Sequence, residues 1–182
     1  GIGAETARAI AAKGCNVVIN YVNYEKGAAE TVAACRSYGV KSFAIKGDVS
    51  KDQDCINMVQ ETIKEWGTID VLVNNAATTK PVPQSDLDAL TAEEFLRIYS
   101  VNVVGTFQMP RASAPFLRLS GDAAIVNISS IGAWKGNGSS MAYSASKGAL
   151  NTLTISLARQ LAPEIRVNAI CPGWLLGNWT RK

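Results

Sequence analysis

The sequence predicts an α/β fold of three layers, a doubly wound parallel sheet between two layers of helices, and three observations carry that prediction. Strand-like and helix-like segments alternate along the whole chain, the pattern of parallel sheets whose crossovers are helices. The chain opens on Gly1-Ile2-Gly3-Ala4, a glycine turn that feeds straight into a helix and then a strand. Polar residues follow directly on apolar strand runs, as in Asp48-Val49, Asn74-Asn75 and Ser129-Ser130, which places them at the carboxyl ends of strands, where such sheets bind ligands.

Taken in order, residues 5–13 put Ala7, Ile10 and Ala11 on one helical face, with Gly14 as the stop. Residues 16–21 read as a strand, 25–37 as a helix closed by Gly39, and 42–46 as a strand ending at Gly47-Asp48-Val49. Ser50-Lys51-Asp52-Gln53 reads as a capping box for a helix ending at Trp66-Gly67. Residues 70–74 are a buried parallel strand in this reading. Thr91-Ala92-Glu93-Glu94 caps a long helix carrying Phe95, Ile98, Val101 and Phe107, which Pro110 and Pro115 are expected to kink or shorten. Residues 123–129 are the next strand, 142–161 a helix and 166–170 the last strand. No repeat, linker or low-complexity stretch interrupts this order, so one domain is expected.

Of 182 residues, 47% are hydrophobic and 18% charged, with a net charge of +3, an ordinary globular balance. The basic residues are scattered, so no nucleic-acid footprint is present, and no apolar run is long enough for a membrane span. Cys15, Cys35, Cys55 and Cys171 form no C-x-x-C pair and there is no histidine. A metal site and a disulfide framework are therefore not expected, and reduced thiols point to the cytoplasm. The missing histidine also excludes serine-histidine hydrolysis within these residues and shifts weight to other proton carriers.

Tyr143 and Lys147 are such carriers. Four residues apart on a helix, they stand one above the other on a single face. A phenol titrates near about 10, but an ammonium beside it favours the phenolate, and the pair could then exchange a proton with an alcohol or ketone. Ser130 lies just past a strand, where its hydroxyl could donate to the same oxygen; Ser129 competes for that role, and the spacing to Tyr143 favours Ser130.

Tyr143-x-x-x-Lys147, with Asn127-Ile128-Ser129-Ser130, Asn74-Asn75-Ala76 and Gly1-Ile2-Gly3 upstream of it, resembles the short-chain dehydrogenases/reductases over the whole length supplied. The resemblance implies a Rossmann-like sheet and an oxidoreductase moving hydride between a nicotinamide cofactor and a small carbonyl or secondary-alcohol substrate. Tyr143 would give or take the proton, Lys147 hold the phenolate and contact the ribose, Ser130 position the substrate oxygen, and Asn102 hold a water that relays protons toward Lys147. Gly1, Ile2 and Gly3 would receive the pyrophosphate at a helix N-terminus. Asp48 would accept from the adenine amine and Val49 pack on its ring, while Asn75 and Ala76 line the trough, with Ala77 standing where the family has glycine. Pro172 and Gly173 would flank the nicotinamide; the threonine usually found a few residues later is replaced by Gly177 or displaced to Thr180.

Tyr21 occupies the position where an acidic residue would bond the ribose hydroxyls of NAD, which makes NADP(H) the expected cofactor, with NAD(H) possible and Glu25 a candidate for the missing acid. The segments 78–84 and 131–141, and whatever follows Pro172, would shape the substrate pocket; Trp134, Trp174 and Trp179 suit its wall or plain core equally. The resemblance also implies a homodimer or homotetramer, and a longer natural chain, with a strand before Gly1 and a further strand and lid after Lys182. A cofactor-binding sensor or scaffold without turnover is the alternative of another class, and a lyase or epimerase on a related fold is a third.

Overall fold

A computed structural model describes residues 1–175. The elements are α1 (Ile2–Ala11), β1 (Val17–Tyr21), α2 (Glu25–Arg36), β2 (Ser42–Lys46), α3 (Asp52–Trp66), β3 (Val71–Asn74), α4 (Ala92–Tyr99), α5 (Thr106–Leu117), β4 (Ala123–Ile128), α6 (Gly132–Lys135), α7 (Met141–Leu161) and β5 (Ile165–Ile170), with a π-helical turn, Ser100–Gly105, joining α4 to α5. Every strand pairing is parallel. β1 pairs with β2 from Val17↔Ser42 to Tyr21↔Lys46, and β3, β4 and β5 form a second group in that order.

Alternation along β1 shows why helices cover both faces. Val17 and Ile19 pack with Ala7, Ala11 and Cys35 of α1 and α2. Val18 points the other way, into Ile45, Cys55, Met58 and Met109, beneath α3 and α5. The largest core lies between β4, β5, α5 and α7, where Leu117, Ile125 and Ile165 are at most 1% exposed. Burying a side chain of this size contributes about 1.5–3 kcal/mol, so these contacts fix α7 against the sheet.

Three expectations need correction. β3 is not buried throughout: Val71 is 49% exposed, because among the described residues the β3 edge away from β4 has no strand beside it. A cleft of about 970 Å³ separates that edge from β1 and is lined by both strands. Ser50 does not cap α3. Its hydroxyl donates to Asp48 Oδ1 at 2.7 Å, the helix starts at Asp52 after Lys51, and Asp54 accepts from the Asp48 N–H instead. Pro110 and Pro115 do not cut α5 short, and it runs through both to Leu117. Each ring removes one helical hydrogen bond, yet Pro110 is fully buried and Ala114 and Leu117 anchor the helix in the core. The irregularity falls upstream, in the π turn that carries Asn102.

Candidate active site

The site grows from the first two turns of α7. Ser140, in extended backbone, caps the helix by accepting the Tyr143 N–H at 3.2 Å, so Tyr143 projects from the first turn. Lys147 follows one turn later and is 2% exposed. Its Nζ donates to the Ile128 carbonyl at the end of β4 at 2.7 Å and lies 5.6 Å from the centre of the Tyr143 ring. Burial pushes the Lys147 amine down to about 8, with a small opposing effect from Cys171. Burial also pushes the Tyr143 phenol above its ordinary value, and a hydrogen bond from Ser130 draws it part of the way back. Burial thus works against the phenolate that a neighbouring ammonium is expected to favour.

The two competing serines separate cleanly. Ser129 is buried and its hydroxyl donates to the Lys147 carbonyl at 3.3 Å, which ties β4 to α7. Ser130 accepts the Gly132 N–H at 3.0 Å, leaving its own proton for the phenol. On the other side, Ile131 N–H donates to the Pro172 carbonyl at 3.0 Å, and a Cβ on Gly173 would lie 3.6 Å from Ile131 Cδ1. Ser130, Tyr143, Lys147, Pro172 and Gly173 thus surround one region. Gly177, Trp179 and Thr180 lie outside the described residues, while Trp134 and Trp174 are 75% and 78% exposed and belong to no core.

Of the remaining candidates, some line the cleft between β1 and β3, while Gly1, Ile2 and Asp48 stand outside its lining. Gly3, Tyr21, Val49, Asn75 and Ala76 line it. A Cβ on Gly3 would stand 2.5 Å from Asn75 Nδ2, so a larger residue there requires the Asn75 side chain to move. Gly1 is exposed at the head of α1 and Ile2 is partly buried behind it. Tyr21 ends β1, its carbonyl accepting the Gly47 N–H at 2.9 Å. Asp48 turns one carboxylate oxygen onto Ser50, and Val49 packs beneath Gly105. The start of α1 at Gly3, set against Asn75, with Val49 near the end of β2, suits a dinucleotide: N–H groups suit phosphate and the apolar side chain suits a base.

Over residues 1–181 the chain matches a family model described as enoyl-(acyl carrier protein) reductase. It is 37% identical to ketoacyl reductase 2 assigned to the granaticin polyketide synthase of Streptomyces violaceoruber, over all of this chain and 71% of that protein. A Burkholderia xenovorans protein assigned to the short-chain dehydrogenases/reductases superposes with a TM-score of 0.94 at 45% identity, covering 95% of this chain and 72% of that one. The chain belongs to the short-chain dehydrogenase/reductase family. An NAD+-bound xylitol dehydrogenase superposes with a TM-score of 0.88 at 30% identity, covering 98% and 68%.

In this short-chain dehydrogenase/reductase, Asn102 is fully buried and joins the two halves of the site. Its Oδ1 accepts the Thr78 N–H at 2.8 Å, and its Nδ2 donates to the Thr78 carbonyl at 3.0 Å and to Ser146 Oγ at 2.9 Å. Asn102 thus pins the loop after β3 to α7, while Lys147 bonds elsewhere. Asn102→Ala should leave buried amide groups unpaired, at about 1–3 kcal/mol each, and urea denaturation should show a stability loss of about 3 kcal/mol. Loss below about 0.5 kcal/mol would mean that water replaces the amide freely.

Sequence reasoning missed the buried relay from Asn74 Nδ2 to Asn127 Oδ1, and from Asn127 Nδ2 to Thr154 Oγ1, both at 2.9 Å, which crosslinks β3, β4 and α7. Two asparagines at the ends of apolar strands were its only trace. It also missed Gly138, whose Cβ would fall 2.8 Å from the Tyr143 ring.

Proposed function

We propose that the chain reduces a carbonyl, or oxidises the matching secondary alcohol, using NADP(H), with Tyr143 as the proton donor and acceptor. The observation that carries this is the convergence of the Ser130 hydroxyl, the Tyr143 phenol and the buried Lys147 amine at the ends of β4 and α7. The nicotinamide, when bound, supplies or takes the hydride. Ser130 and Tyr143 hold the substrate oxygen between two O–H donors, and Tyr143 delivers its proton as negative charge develops there. Lys147, whose amine at about 8 is still mostly protonated at neutral pH, stabilises the phenolate left when Tyr143 gives up its proton. Asn102 keeps the loop after β3 in register, and a water beside it would relay protons toward Lys147. Gly1, Ile2 and Gly3 would hold the pyrophosphate, Asp48 and Val49 the adenine, Asn75 and Ala76 the trough, and Pro172 and Gly173 the nicotinamide face.

Residues 1–182 act in this as one dinucleotide-binding and catalytic domain. The ketoacyl reductase among the relatives favours a carbonyl substrate, and the xylitol dehydrogenase keeps the alcohol direction and NAD(H) in view. Exposed Phe95, Leu96, Val104, Phe107 and Ile155 along the π-linked helix and α7 support a homodimer or homotetramer through those faces. All four cysteines are free thiols, as a cytoplasmic protein keeps them.

Cofactor choice rests on Tyr21, which ends β1 where an acidic residue would otherwise meet the ribose. The enzyme should show a kcat/KM for NADPH at least about tenfold above that for NADH. Tyr21→Asp should narrow or reverse that ratio, since a carboxylate beside a 2′-phosphate repels by about a few kcal/mol at an effective dielectric near 20. A wild type that prefers NADH, or a ratio unmoved by the substitution, would overturn the NADP assignment.

A further inference from the structure

We propose that Arg97, on the outer side of α4, is a positioning residue that sets Tyr143 through the loop after β3; the proposal rests on Tyr143 being the proton donor. Arg97 is half-exposed, and its Nη2 also lies 2.8 Å from Glu94 Oε2. Nε donates to Glu94 Oε2 at 2.9 Å, Nη1 to Thr78 Oγ1 at 2.8 Å and Nη2 to the Thr79 carbonyl at 3.3 Å. Glu94 in turn takes Lys80 as a second cation at 3.7 Å. Ion pairs this exposed add little to stability, so what the arrangement supplies is geometry. A rigid planar fork with three partners fixes where Thr78 and Thr79 lie.

From there the connection runs to the catalytic ring in two steps. Thr79 and Ser139 share a hydroxyl–hydroxyl hydrogen bond of 2.7 Å, the Val82 N–H donates to the Ser139 carbonyl at 3.0 Å, and Gln84 donates to the Gly138 carbonyl at 2.9 Å. The turn held in this way touches Tyr143 on both its ring and its backbone. Gly138 lies so close to the Tyr143 ring that no Cβ fits, and its N–H donates to Ser144 Oγ at 2.9 Å. Ser140, two residues on, caps the Tyr143 N–H. A shift of the 78–84 loop is therefore passed to the wall of the phenol and to the first turn of α7. Displacements below an ångström in a proton donor lower turnover without abolishing binding.

The test uses the enzyme with its cofactor and compares Arg97→Ala, Thr79→Val and the double variant. Arg97→Ala should lower kcat for a ketone about tenfold, leave the NADPH Kd from nicotinamide fluorescence within about twofold, and leave Tm unchanged. Thr79→Val breaks the same connection one step on, so it should lower kcat similarly and the double variant should fall little further than either single one. Amide hydrogen exchange at Tyr143 should quicken in all three. An unchanged kcat, losses that multiply in the double variant, or a Tm and NADPH affinity that fall in step with kcat would overturn the proposal. If the wild type turns over no carbonyl, the catalytic reading fails instead, and unchanged exchange at Tyr143 would then overturn the positioning role by itself.

Discussion

Tyr143→Phe should reduce turnover at least about 100-fold while leaving NADPH affinity nearly unchanged. The substitution keeps the ring that packs against Gly138 and lies over Lys147, and keeps the backbone N–H that Ser140 caps. What it removes is the transferable proton and the oxygen that Ser130 donates to. Proton transfer by a positioned side chain contributes about 100- to 10,000-fold, and no histidine stands in reserve anywhere in the sequence. Steady-state kinetics with a ketone, alongside a fluorescence titration of NADPH, checks both halves. A variant keeping more than about a tenth of wild-type kcat would move the proton donor to another group.

Lys147→Met should abolish turnover and change how stability depends on pH. The Lys147 amine titrates at about 8 in the folded protein against 10.5 for an ordinary lysine, because burial disfavours its charge. Between those values the unfolded chain binds more protons than the folded one, so stability rises with pH across that window. Below about 8 the buried ammonium opposes folding in full; above 10.5 the effect is gone. Methionine carries no such charge. The wild type should therefore gain about 2–3 kcal/mol on the variant between pH 7 and pH 10. Urea denaturation of both proteins across that range measures it, and parallel curves would show that Lys147 is well solvated. The variant also loses the hydrogen bond to the Ile128 carbonyl, but that loss is common to all pH values and leaves the slope untouched.

The strand and helix order was legible because short apolar runs and glycine stops are local signals. Gly14, Gly39 and Gly67 take positive φ where the helices stop, and the strand of residues 42–46 lies where the apolar run placed it. The misreadings have a common cause, a competing partner distant in sequence or hidden by packing. Ser50 looked like a cap until Asp48 claimed its hydroxyl, and the two prolines looked disruptive until the core showed Pro110 enclosed. Within the site, Ser130, Tyr143 and Lys147 were legible as a spaced set. Their burial was not, because spacing brings a cation beside a phenol without showing how far either group is removed from water. Arg97 left no trace in the sequence, since its partners Thr78 and Thr79 lie in a loop whose path only the fold determines.

Hydride transfer to a carbonyl carbon can be followed atom by atom. NADPH carrying deuterium on the transferring face of nicotinamide C4 is incubated with the enzyme and a panel of 3-oxoacyl esters and simple ketones, and the alcohol products are read by mass spectrometry. The account predicts one deuterium at the carbinol carbon of at least one product with the wild type, and none above background with Tyr143→Phe. NADPH that binds saturably while no member of the panel gains deuterium would contradict it and leave a cofactor-binding protein without turnover.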